Sequence, residues 1–175
     1  MKRFFTAAAL SAVMLLSSCA AGVASGKPDI DKTFSAQAKI AVGGETVAGT
    51  ISRTAENCWT LSVDEPFALQ GLTVTFSNGE TTFSMLGYEC KTDFSDSAVS
   101  ALKAVAQAYE TALSDMGGFE NGVFQGSNQS GAFSVALDEN GNASIINAGG
   151  ISVQLSDWAE NTEIAENNDE IILIE

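Results

Sequence analysis

The sequence predicts a mainly β protein: a curved antiparallel sheet, or unclosed β-barrel, of about ten strands covered by one long helix. Three observations predict it. Apolar and polar residues alternate with period two from Phe34 to about Phe94 and again from Val123 to Leu155. Turn dipeptides (Gly43-Gly44, Asn78-Gly79, Asn140-Gly141, Gly149-Gly150) punctuate these runs. Between the runs a single stretch switches to helical spacing. A sandwich is the alternative arrangement, but it gives a lone amphipathic helix between two meanders no obvious place.

Taken in order, Lys2 and Arg3 precede an apolar run from Phe4 to Leu16, which reads as a secretory leader over residues 1–18 and is too short for a membrane span. Leu16-Ser17-Ser18-Cys19 resembles the lipobox of bacterial lipoproteins, so Cys19 is expected to be acylated, as by palmitate, and to anchor the chain to the bacterial membrane on its extracytoplasmic side. An ordinary signal peptide cut near Ala20 is the alternative. Residues 19–33, small and flexible as far as Lys27, read as a lipidated tether. The domain is expected over 34–158. Ala38, Ile40 and Val42, then Val47, Gly49 and Ile51, form a hairpin about Gly43-Gly44. Trp59, Leu61 and Val63 share one face of the next strand and Cys58, Thr60 and Ser62 the other. Leu72, Val74 and Phe76 alternate with Thr73 and Thr75, and a strand with Phe83 and Met85 follows Asn78-Gly79. Val99, Leu102, Ala106, Tyr109, Leu113 and Met116 make the helical stripe, with Ser95 or Asp96 to cap it and Gly117-Gly118 to end it. Val123-Phe124, Phe133 to Leu137, Ile145-Ile146 and Ile151 to Leu155 build the second meander. Residues 159–175 form an acidic tail closing in Ile171 to Ile174, which reads as an edge strand, with a segment that docks on a partner as the alternative.

Composition narrows function. A 175-residue chain of formal charge −14 repels phosphate backbones and anionic headgroups, so nucleic acid is not expected as a partner. There is no histidine, and Arg53 is the only arginine after Arg3, which removes the commonest general base, metal ligand and phosphate clamp. Ser127, Ser130 and Ser134 have no histidine to activate them, and neither Lys91 nor Lys103 stands at Ser-Lys dyad spacing. Asp64 and Glu65 diverge at a strand end. Asp138 to Asn142 begins like a calcium loop, yet Ala143 and Gly149 occupy its glycine and carboxylate positions, so a hairpin turn is expected. No zinc pattern, cofactor motif or metal site is read, and an enzyme is not expected. With Cys19 acylated, Cys58 and Cys90 are left as one pair. They are expected to be disulfide-bonded outside the cell, a constraint of about 3–4 kcal/mol.

The stripe of Trp59, Leu61, Val63, Leu72, Val74, Phe76, Phe83 and Met85 reads either as packed core or as the wall of an apolar cavity. The order Trp59, Glu65-Pro66, Leu69-Gln70-Gly71-Leu72, an alternating Thr-Val-Thr-Phe strand and Asn78-Gly79 resembles the bacterial lipoprotein carriers and receptors of the LolA/LolB type, over roughly Phe34 to Met116. Unlike the carriers, this chain has only Pro28 to Thr33 before its first strand, with no long N-terminal helix, and only Arg53 for a basic contact. The resemblance implies an unclosed barrel lidded by helix whose cavity takes acyl chains. The expected function is therefore a membrane-anchored, non-enzymatic binder of a lipid or acyl chain; the alternative is a cell-envelope interaction or scaffold module with a filled core.

Overall fold

A computed structural model of the chain describes residues 28–91, 98–114 and 118–161. The leader, Cys19, Ser95, Asp96, Met116, Gly117 and the run Ile171 to Ile174 lie outside the described residues. The first meander comprises β1 (Phe34–Val42), β2 (Glu45–Ala55), β3 (Cys58–Glu65), β4 (Thr73–Ser77), β5 (Glu80–Met85) and β6 (Tyr88–Lys91). After α1 (Ala98–Leu113) come β7 (Gly118–Glu120), β8 (Val123–Asn128), β9 (Gly131–Leu137), β10 (Ala143–Ala148) and β11 (Ile151–Glu160). All eleven strands join one antiparallel sheet in the order β6-β5-β4-β3-β2-β1-β11-β10-β9-β8-β7. The meanders meet at its centre, where Ala38 pairs with Leu155 and Ile40 with Val153. The sheet is curved and unclosed, with β6 and β7 as its edges. α1 packs on the concave side against β3 and β4 of one meander and β8 to β11 of the other. This is the expected architecture, with eleven strands for about ten.

The period-two pattern explains which face is which. Along β1, Phe34, Ala36, Ala38 and Ile40 are buried while Gln37, Lys39 and Ala41 are exposed. Five two-residue turns have positive φ at both positions: Gly43-Gly44, Asn78-Gly79, Leu86-Gly87, Asn121-Gly122 and Gly149-Gly150. That geometry matches the twist of the strands it joins. Gly49 is required for another reason. It sits at the register shift between β2 and β3, and a Cβ there would collide with the Ser62 carbonyl oxygen. In α1, Leu102, Ala106 and Tyr109 of the expected stripe are buried, and so are Ala101, Ala104, Ala108 and Ala112, so more than one helix face is covered. The helix stops at Leu113. Gly118, expected as part of the stop signal, instead opens β7, where it pairs with Gln125.

Three boundaries and pairings differ from expectation. Residues 28–33 are part of the domain and not of the tether: Ile30 is buried in the core, and Thr33 exchanges backbone and side-chain hydrogen bonds with Asn161. At the other end, Ala159 and Glu160 complete β11. The expected disulfide is absent, both Cys58 and Cys90 being free thiols. Cys58 pairs with Ser77 on the polar face, whereas Cys90 stands opposite Phe83, in register with the apolar face. β4 and β5 lie between their strands, a separation of about 14 Å at normal strand spacing. A disulfide tolerates at most about 7 Å between Cα atoms.

Candidate functional site

The concave face carries every residue of the expected cavity wall, but not as an open cavity. Trp59, Leu61 and Val63 on β3 and Val74 and Phe76 on β4 all point inward, with Trp59, Leu61 and Val74 at 0% exposure. A side chain lining a void wide enough for an acyl chain would present surface to a water-sized probe, and these three present none. The pocket expected beneath the helix is filled. α1 packs against β3 and β4, the Phe34 ring meets Trp59 edge-on at 5.6 Å, and Tyr109 does so at 5.2 Å. Leu72, Phe83 and Met85 behave differently. They lie on the same face by register (Leu61, Val74 and Phe83 are successive partners) yet are only half-buried. One apolar surface thus runs from the sealed core under α1 out to a half-open strip on β4 and β5.

A polar cluster ties α1 to that face. Arg53 falls in the inward phase of β2, after Val47, Gly49 and Ile51, and is 2% exposed. Its Nε and Nη2 donate to the two carboxylate oxygens of Glu110 at 2.9 and 3.1 Å, its Nη1 to the Lys32 carbonyl at 2.8 Å, and Nη2 also meets Asp31 at 2.9 Å. Glu110 Oε1 further accepts Trp59 Nε1 at 2.9 Å and the Asn57 backbone N–H at 3.2 Å. Burial pulls the Arg53 pKa down, but the hydrogen bonds and charges of Glu110 and then Asp31 outweigh it, holding the guanidinium charged beyond its ordinary range. Tyr109, whose ring lies 5.7 Å from the Arg53 guanidinium carbon, donates its hydroxyl to the Ile30 carbonyl at 2.6 Å. Burial, opposed by the nearby Arg53 charge, raises the Tyr109 pKa well above the usual phenol value. Sequence reasoning singled out Arg53 but not its partner. The signal was present: Glu110 stands four residues after Ala106 of the apolar stripe, so a carboxylate and a lone arginine both sit in inward phase.

Two open clefts of about 420 and 440 Å³ occur elsewhere and include none of the expected cavity residues. One opens around the β10–β11 turn beside Gln125, Ser134 and Asn147. The other lies between α1 and the β8–β9 turn, beside Gln107, Glu110 and Asn128, where Asn128 Nδ2 is buried without a partner. The remaining candidates have structural roles. Asp138 Oδ1 accepts the backbone N–H groups of Asn140 and Asn142, which makes the hairpin turn expected there. Ser130 Oγ donates to Gln107, and Lys91 pairs with Glu80 at 3.0 Å on the surface. Asp64 and Glu65 are exposed at the end of β3.

No family model matches this chain, and no curated protein matches it in sequence. Solved structures align with it in space. A conserved, uncharacterized protein from Thermus thermophilus aligns over 75% of this chain and 80% of its own, with a TM-score of 0.43 and 6% identity. A LolA superfamily protein from Nitrosomonas europaea aligns over 73% of this chain and 86% of its own, with a TM-score of 0.41 and 10% identity.

Proposed function

We propose that this protein is an extracytoplasmic, membrane-anchored, non-enzymatic lipoprotein that takes a lipid or acyl chain between α1 and the concave face of its sheet, and that the site is closed in this structure. The observation that carries the reading is the cover of that face. The strands hold one another through hydrogen-bonded ladders, whereas α1 belongs to none of them. Much of its buried surface is alanine (Ala101, Ala104, Ala106, Ala108, Ala112). An alanine has about three fewer carbons to bury than a leucine, each worth about 0.8 kcal/mol, so the helix is held by less apolar contact than its length allows. Lifting it uncovers a continuous apolar floor that already reaches the half-open strip of Leu72, Phe83 and Met85. The lipid anchor rests on the leader and the motif ending in Cys19.

Mass spectrometry of lipid carried by protein purified from the cells that make it, with titration by a fluorescent fatty acid, tests the ligand. Met85→Glu, at a half-buried position, is expected to weaken fatty-acid binding tenfold or more with little change in melting temperature. A parent protein that carries no lipid and binds no fatty acid overturns the reading. The second reading is then an envelope interaction module with a filled core, which the 0% exposure of Trp59, Leu61 and Val74 favours.

A further inference from the structure

Three of the exposed large apolar side chains gather at one corner of the sheet. Phe67, on the 3-10 turn Phe67–Leu69 between β3 and β4, is 89% exposed; Leu86 and Tyr88, at the β5–β6 turn, are 84% and 82% exposed. Backbone pairing brings them together. Val63 bonds to Leu72 and Gly71 at the base of the Phe67 loop, Thr73 pairs with Ser84, and Met85 with Tyr88, so both turns cap the same end of neighbouring strands. Phe34, Arg53 and Trp59 mark the other end.

Leu86 is anomalous by the protein's own standard. The five two-residue turns that share its backbone form carry glycine, asparagine, leucine, asparagine and glycine at their first position. Asparagine and glycine tolerate that left-handed conformation, whereas leucine does not, and this one also faces water (φ 53°). A residue that costs the fold twice, in backbone strain and in apolar exposure, beside two further exposed apolar rings, points to a use outside the fold. The charges around it define what it meets. Asp64, Glu65 and Glu89 flank the corner and are exposed, and the nearest lysine along the chain, Lys91, is already paired with Glu80.

We infer that the Phe67, Leu86 and Tyr88 corner is a docking tip for a partner protein that presents an apolar pocket rimmed by lysine or arginine. A second copy of a chain of charge −14 would bring the same carboxylates against these, and an anionic bilayer is repelled for the same reason. The tip is independent of whether a lipid enters beneath α1.

The test places a photoreactive p-benzoylphenylalanine at Tyr88 in the full-length protein, in the cells that make it. The expected result is a covalent adduct with one protein, mapped beside a lysine or arginine, falling tenfold or more when Leu86→Asn is added and likewise with Asp64→Lys plus Glu89→Lys. Leu86→Asn alone is expected to raise the melting temperature by about 2–4 °C, since it removes strain from the fold. An adduct to phospholipid, an adduct to another copy of this chain, no adduct, or an adduct unchanged by these substitutions overturns the inference. Copurified lipid and fatty-acid binding by the same variants report separately on the ligand site.

Discussion

Glu110 accepts four hydrogen bonds, two from Arg53 and one each from Trp59 and the Asn57 backbone, so a single carboxylate satisfies donors on β2, on β3 and in the turn between them. Removing it takes from Arg53 its buried carboxylate, leaving the exposed Asp31 and the Lys32 carbonyl as partners, and strands an indole N–H. Glu110→Ala is expected to cost about 3–5 kcal/mol in denaturant unfolding, the scale for breaking a buried pair. Glu110→Gln keeps an oxygen for Trp59 and Asn57 and loses only the charge, so it is expected to cost clearly less; equal losses would show that the bonds are unimportant there. Tyr109 gives a pH signature. Burial raises its folded pKa above the ordinary 10.0, so above about pH 10 the unfolded chain releases a proton that the folded chain keeps. Stability is therefore fully present below that pH and declines as pH rises towards the folded value. Tyr109→Phe loses the bond to the Ile30 carbonyl, about 1 kcal/mol at neutral pH, and is expected to flatten the decline between pH 9 and 11 relative to the parent when melting is followed at each pH. A parallel decline in both proteins would place the alkaline loss elsewhere.

At the scale of elements, β2 shows how closely the strands are fitted. Gly49→Ala drives a Cβ into the Ser62 carbonyl oxygen of β3, backbone against backbone, and is expected to cost about 3 kcal/mol or more. Gly44→Ala, in a turn where a Cβ meets nothing but whose φ is +88°, is expected to cost about 1–2 kcal/mol from conformation alone. Comparable losses in chemical denaturation would mean that β2 and β3 separate to accommodate the methyl. The strands were legible because period two is strict: Trp59, Leu61, Val63, Val74 and Phe76 all appear on the expected face. What alternation does not encode is how full the space behind that face is. The pattern that specifies a cavity wall is the same one that specifies a packed core, so a correctly read strand leaves open whether the space behind it is filled, as it is in this structure. Leu86 is invisible to alternation for the converse reason. Its turn lacks asparagine, and only its backbone φ identifies it as a member of the same turn class.

For the whole molecule, the strand order decides the fate of its cysteines. Counting sulfurs pairs Cys58 with Cys90 by elimination, but counting ignores faces. Cys58 lies on the polar face of the sheet, in phase with Thr60 and Ser62, whereas Cys90 is opposite Phe83 on the apolar face, with two strands between them. No rotamer change joins thiols on opposite sides of a hydrogen-bonded sheet; bridging them would mean unpairing β5 and β6. The same chemistry then reports on the anchor, because Cys19 is the only other thiol in the chain. Full-length protein purified from the cells that make it, denatured without reductant, is expected to titrate two free thiols: Cys58 and Cys90 unbridged, and Cys19 consumed by its acyl group. Three thiols would mean that Cys19 is unmodified, and the anchoring proposal fails. None would mean that Cys58 and Cys90 are bridged, and the sheet as described fails at β6. In the native state Cys90, which is exposed, is expected to react with a bulky maleimide ahead of Cys58, which is half-buried with its sulfur 3.4 Å from Ser77 Oγ. Two equal rates would mean that Cys58 is as open to the reagent as Cys90, against its half-buried place beside Ser77.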